Sequence, residues 1–253
     1  MQILFHWTLD RKISDSMFSL GLSRVTLVDW HNFAREICQN LFSRREKFGG
    51  DGYIIQIDES LMRGKRKANR GRLLLGDGIP NENPVAEDSD SDSSDNEDEN
   101  ANNRRRIAGP WVFGLALCKV ENDGTQTTKE VRCFVVERRD RVTLEAIISR
   151  ECIPGSTIHS DEWPAYNHLS ELGFIHNTVN HSENFVDPET RTHTQNIENN
   201  WGVMKLKILK SMKGTQEPLL ESHLSQFWFK SLHKNPFEAF TALLLEIAHQ
   251  HPV

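Results

Sequence analysis

The sequence predicts an α/β protein, a mixed sheet flanked by helices and preceded by a small all-helical segment. Three observations predict it. Up to residue 48 the apolar residues recur at helical spacing, without a β-rich run. From Gly52 the pattern changes to short apolar and β-branched runs bounded by turn residues. Beyond residue 140 such runs alternate with helical patterns, as parallel strands joined by crossover helices require.

Taken in order, residues 14–19 form a helix, Gly21 a turn, and 23–42 a long helix with Ser23 as its N-cap. Two helices joined at a glycine fit a helix-turn-helix, and any helical hairpin gives the same pattern, so a DNA-reading and a purely structural role both stay open. Residues 53–58 make a first strand ending in Asp58, and residues 111–120 a second. The Glu121-Asn122-Asp123-Gly124 turn leads into a return strand over 131–137. A helix over 141–152 stops at Pro154-Gly155, and a strand over 157–160 delivers Asp161. A helix over 162–172, a strand over 175–179 and a helix over 194–210 follow. The order β, β, β, α, β, α, β, α describes a ribonuclease H-like sheet. The expected organisation is a helical, helix-turn-helix-like segment over 1–48, the α/β domain over 50–235 with an insertion at 77–103, and a C-terminal helix over 236–253.

With 253 residues and 37% hydrophobic content the chain can bury one sizeable core. The apolar run at 3–9 is broken by His6 and falls far short of the roughly 18 to 20 residues of a membrane span, so neither a membrane partner nor a signal peptide is expected. Cys38, Cys118, Cys133 and Cys152 stand 80, 15 and 19 positions apart with no CxxC pair. That spacing argues against a zinc ribbon or a disulfide framework and for buried thiols in a reducing compartment. The net charge of −6 is concentrated in one place, because ten carboxylates and no Lys or Arg lie between Asp77 and Asn103. Outside that insertion 30 basic residues face 26 acidic ones, a net of +4. The insertion holds almost no apolar residue and is expected to be disordered, either a solvated loop or a phosphorylatable tail that competes with nucleic acid. Basic clusters at 63–72 and 104–106 flank it and suit nuclear import or phosphate contact. The expected location is the nucleus in a eukaryote and the cytoplasm otherwise.

In the predicted sheet Asp58 ends the central strand, Asp161 ends the strand beside it, and Glu198 projects from a helix packed across the same edge. Although 102 and 36 residues separate them, the three carboxylates would converge. Two Mg²⁺ ions about 3.5 to 4 Å apart, held by oxygen ligands, suit in-line phosphoryl displacement. Singly, each acid can be an ordinary turn former, N-cap or solvated side chain. Asp58 stands out because it follows Ile54-Ile55-Gln56-Ile57, where a lone acid costs energy unless paired or bound to metal. Trp201 and Lys205, at +3 and +7 from Glu198, share its helix face. The tryptophan suits core packing and the lysine a phosphate.

Four strings occur in order: Ile57-Asp58-Glu59-Ser60 with Arg63-Gly64-Lys65; Pro154-Gly155-Ser156-Thr157-Ile158-His159-Ser160-Asp161-Glu162-Trp163-Pro164-Ala165-Tyr166; Val179-Asn180-His181-Ser182; and His193-Thr194-Gln195-Asn196-Ile197-Glu198-Asn199-Asn200-Trp201. Over residues 50–235 the chain thereby resembles the DDE transposases of the Merlin superfamily and the related bacterial insertion-sequence transposases. The resemblance implies a ribonuclease H-like catalytic domain that cuts transposon ends and joins them to target DNA. It places Asp58, Asp161 and Glu198 at the acid positions, as ligands of two Mg²⁺ or Mn²⁺ ions, with Asn196 as reserve third ligand. Lys205 matches a lysine that follows the third acid in relatives, and Lys65 and Arg66 would contact phosphates. His159, His181 and His193 would orient a carboxylate or phosphate from behind, although packing accounts for a lone histidine equally well. The implied partner is double-stranded DNA, as terminal inverted repeats and target, and a homo-oligomer is allowed. Bacterial relatives commonly carry an N-terminal zinc ribbon, so repeat recognition is expected to rest on the helical segment or to be absent. The alternative function is a catalytically retired, domesticated DNA-binding or regulatory protein of the same fold.

Overall fold

The computed structural model describes residues 1–62, 110–180, 186–187, 191–212 and 214–252. One sheet of five strands has the order β3-β2-β1-β4-β5. Its members are β1 (Tyr53–Leu61), β2 (Trp111–Val120), β3 (Gln126–Val136), β4 (Thr157–Asp161) and β5 (Ile175–Val179). β1 pairs antiparallel with β2 and parallel with β4, and β4 pairs parallel with β5. The sheet is therefore mixed, flanked by helices, and consistent with a ribonuclease H-like transposase fold, with Asp58 on its central strand. β1 and β2 close on each other where Leu61 faces Trp111 and the Met62 amide donates to the Pro110 carbonyl at 3.0 Å. The 77–103 insertion lies outside the described residues.

Seven α-helices are described: α1 (Gln2–Thr8), α2 (Ile13–Leu20), α3 (Arg24–Ser43), α4 (Arg141–Glu151), α5 (Gln195–Lys205), α6 (Glu217–Leu232) and α7 (Pro236–Gln250). Ser23 caps α3 by accepting from the Thr26 amide, and Asp140 caps α4 by accepting from that of Thr143. Gly21, at a φ of 64°, ends α2 in the left-handed region that a glycine enters at little cost.

Alternation along β1 decides what covers each face of the sheet. Ile55 and Ile57 point into a core shared with Phe113, Leu115, Ile158 and the apolar side of α4. The opposite face packs Val112, Ala116 and Cys118 against Ile197, Trp201 and Met204 of α5 and Leu220 and Leu224 of α6. A third core joins Leu4 and Trp7 of α1, Ala34 and Ile37 of α3, Trp228 and Phe229 of α6, and Leu243 of α7. The N-terminal helices thus share one apolar layer with the C-terminal ones. All four cysteines are buried and reduced. No described helix is long and apolar enough to cross a membrane.

Five features differ from the sequence expectation. β1 runs on to Leu61 rather than ending at Asp58, because its pairing with β2 continues to Trp111. The return strand begins at Gln126 rather than residue 131, since a bulge between Leu117 and Cys118 realigns the pair and lets polar residues continue the ladder. The expected helix over 162–172 is a single 3-10 turn, Pro164–Tyr166, followed by further turns. There the Asp161 carboxylate captures the Trp163 amide, and i to i+3 bonds such as Leu169 N–H to the Tyr166 carbonyl displace the α-helical pattern. The helix expected over 194–210 is α-helical only to Lys205 and continues as a π-helical turn, Leu206–Ser211. α5 also lies on the face formed by β1, β2 and β3 rather than across the sheet edge.

Candidate active site

The parallel register pairs Gln56 of β1 with His159 of β4. Two residues further on, with the same parity and hence on the same face, stand Asp58 and Asp161. Asp161 ends β4, and Asp58 stands within β1, just beyond its last pair with β4, toward the carboxyl side on which open α/β sheets bind ligands. Burial comes first in holding the Asp58 carboxyl well above the usual carboxylate range, and the negative charges of Glu59 and Asp161 push the same way. Two hydrogen bonds oppose them, one from the Glu59 backbone and one in which the Trp201 indole N–H donates to Asp58 Oδ2 at 2.9 Å.

Trp201 reaches Asp58 because α5 is docked on β1 at two points. Gln56, fully buried, accepts at Oε1 from the backbone amides of Asn196 at 2.9 Å and Ile197 at 3.2 Å. A strand side chain thereby caps the first turn of α5, whose amides have no partner within the helix. One turn on, Trp201 lies over Gly114, the residue directly opposite Asp58 in β2. A Cβ at Gly114 would stand 2.5 Å from the indole, so glycine is what admits the ring.

Glu198 occupies an exposed position in the first turn of α5, where its Oε1 accepts from the Thr194 hydroxyl at 2.7 Å. Its charge also acts on His193. Asp58 and Asp161 lie close enough for their charges to act on each other, and Glu198 stands in the first turn of α5. Among the described residues no three His, Cys, Asp or Glu side chains gather closely enough to hold a metal ion. Asn196 is half-buried beside Glu198, and its carbonyl accepts from the Asn200 amide group. Lys205 lies in the last turn of α5.

His159 is buried, and its Nδ1 has no partner among the described residues. Burial, with a smaller contribution from His193, lowers its pKa to about 4, so the ring is neutral at physiological pH. His193 Nδ1 stands 3.3 Å from Gln56 Nε2. The two histidines therefore back the Gln56 cap. His181, Lys65 and Arg66 lie outside the described residues.

Sequence reasoning missed the second carboxylate on β1. Glu59 points to the other face, where its Oε1 accepts from the Tyr166 hydroxyl at 2.5 Å. Burial raises its pKa to about 7; the Tyr166 bond opposes that shift and the Asp161 charge adds to it. Its adjacency to Asp58 was the available signal. For Gln56 the signal was an amide inside an apolar β run.

The donor chemistry fits a hard divalent cation. Asp58 and Asp161 offer oxygen ligands only, their charges repel each other, and no described Lys or Arg forms an ion pair with Asp58. Such an ion would supply the compensating charge that burial demands.

The family model of the ISXO2-like transposase domain matches residues 91–231. No curated protein and no solved structure matches the chain. The matched span holds Asp161 on β4 and Glu198 on α5, while β1 with Asp58 precedes it. The mixed five-stranded sheet is consistent with such a domain, and with more than half its residues matched, this chain belongs to the ISXO2-like transposase domain family.

Proposed function

We propose that the protein is a DDE transposase, or a descendant of one, which cleaves DNA strands at element ends and joins them to target DNA. The observation that carries this reading is the placement of Asp58 and Asp161 on adjoining parallel strands, each two residues beyond the last β1–β4 pair and on the same face of the sheet. These two carboxylates would hold divalent metal, with Glu198 as third acid and Asn196 in reserve, both in the first turn of α5. Two bound Mg²⁺ or Mn²⁺ ions would activate a water or 3′-hydroxyl and stabilise the leaving oxygen of an in-line displacement. The chain's own part is to position: Gln56 fixes the start of α5, and Trp201 restrains one oxygen of Asp58. Lys205, Lys65 and Arg66 are assigned to DNA phosphates, and α2 and α3, turned at Gly21, to reading duplex DNA. The four motif strings support closer kinship to Merlin-type elements.

A second reading is a DNA-binding protein that keeps the fold without the chemistry, since among the described residues no three His, Cys, Asp or Glu side chains form a group that could hold a metal ion. Incubation of supercoiled plasmid with the protein and Mg²⁺ or Mn²⁺ separates the two. The transposase reading expects metal-dependent nicking that Asp58→Asn abolishes, with duplex binding retained and weakening steeply with salt. Binding without nicking in either metal selects the second reading.

A further inference from the structure

The hydrogen-bonded ladder between β1 and β4 ends at the Gln56 and His159 pair, two residues short of both aspartates. The separation of the two carboxylates must therefore be set by something other than that ladder. On the face away from α5, one side-chain bond ties the segment after Asp161 back to the residue after Asp58. Asp161 Oδ1 accepts from the Trp163 amide at 3.1 Å, the 3-10 turn Pro164–Tyr166 follows, and the Tyr166 hydroxyl reaches Glu59 Oε1 at 2.5 Å. Only 1% of Tyr166 is exposed, and its ring stacks on Phe113 at 6.5 Å within the main core. Phenylalanine would fill that space equally well, so the hydroxyl is there for its bond.

We propose that Tyr166 is a positioning residue: acting through Glu59, it fixes the spacing between the Asp58 and Asp161 carboxylates and so tunes their grip on divalent metal. This inference rests on the transposase reading of the acid site. The ring closes through Asp58 and Glu59, the Tyr166 hydroxyl, the turn, and Asp161. Loss of the bond leaves both aspartates in place but frees the distance between them.

The test uses the full chain and Mn²⁺ alone as probe, followed by calorimetry and by the paramagnetic resonance of bound Mn²⁺. Tyr166→Phe is expected to weaken Mn²⁺ binding by about tenfold, as loss of an outer hydrogen-bond partner does at metal sites, while the melting temperature changes little. In a Glu59→Ala background the same change should cost nothing further, because its route to the metal is already gone. Glu59→Gln and Glu59→Ala both remove the charge, but only glutamine keeps an acceptor for Tyr166, so it should bind Mn²⁺ more tightly than alanine. Wild-type Mn²⁺ affinity in Tyr166→Phe, an undiminished loss in the Glu59→Ala background, or equal affinities of the Gln and Ala variants would overturn the proposal. If the wild-type protein binds no more Mn²⁺ than Asp58→Asn does, the transposase reading of the site fails and carries this inference with it, a result visible before any Tyr166 variant is made.

Discussion

Gly114 shows how one missing side chain shapes the acid site. The Trp201 indole fills the space where its Cβ would stand and from there donates to the Asp58 carboxyl. Gly114→Ala must displace either a β2 backbone paired on both sides or a ring that is 5% exposed, and neither yields cheaply. The expected loss of stability is about 1 to 3 kcal/mol, the usual cost of overpacking a core, and urea denaturation measures it. An alanine variant as stable as the parent would mean that the ring is loosely held. Asp58 itself was legible, since an acid directly after an apolar run invites a ligand. Gly114 was not, because a glycine in a strand names no partner until the opposing helix is in place.

At the scale of elements, the first turn of α5 is capped by a single buried amide. Gln56 Oε1 caps Asn196 and Ile197, and its Nε2 donates to Gln126 Oε1 at 2.7 Å. Gln56→Leu keeps the volume roughly and leaves two helix amides and the Gln126 oxygen unsatisfied, at about 1 to 3 kcal/mol for each group that water cannot reach. Amide hydrogen exchange should show protection lost first at Asn196 and Ile197, with the β1–β2 ladder still protected. Unchanged exchange at those two amides would show that the cap is dispensable. The sequence revealed the strands well, since β-branched runs bounded by turn residues suit a half-buried sheet and little else, and it revealed α3 through Ser23 and its apolar spacing. It could not reveal the 3-10 turn after Asp161, because apolar spacing over 163–172 is compatible with a helix and only the Asp161 side chain, by taking the Trp163 amide, decides otherwise.

Across the whole molecule, the four buried thiols set a limit at alkaline pH. Burial pushes Cys38, Cys118 and Cys152 up to about 12 and Cys133 higher still, against 9.0 for a free thiol. Above pH 9 the unfolded chain therefore releases protons that the folded one keeps, so stability falls as pH rises, by at most about 1.4 kcal/mol per pH unit for each thiol. Lys230 acts in the opposite sense. Burial lowers its pKa to about 8 from 10.5, so between those values the unfolded chain binds the extra proton and stability rises with pH. Four groups against one decide the sign. The urea midpoint is expected to fall between about pH 9 and pH 10.5 under reducing conditions, and a flat profile would contradict the burial of the thiols.

The third core has a consequence in time rather than in space. Leu4, Trp7 and Ile37 are covered by Trp228, Phe229 and Leu243, and Asn40 bonds to Gln250 across 210 positions. At the roughly 5 to 20 residues per second of synthesis, the apolar faces of α1 and α3 wait on the order of ten seconds or more for the helices that cover them. The five-stranded sheet is complete before those helices arrive, because its last strand ends at Val179. A nascent chain of this protein thus carries a finished sheet beside an unfinished helical layer, and its apolar helix faces stay uncovered until its last stretch is made.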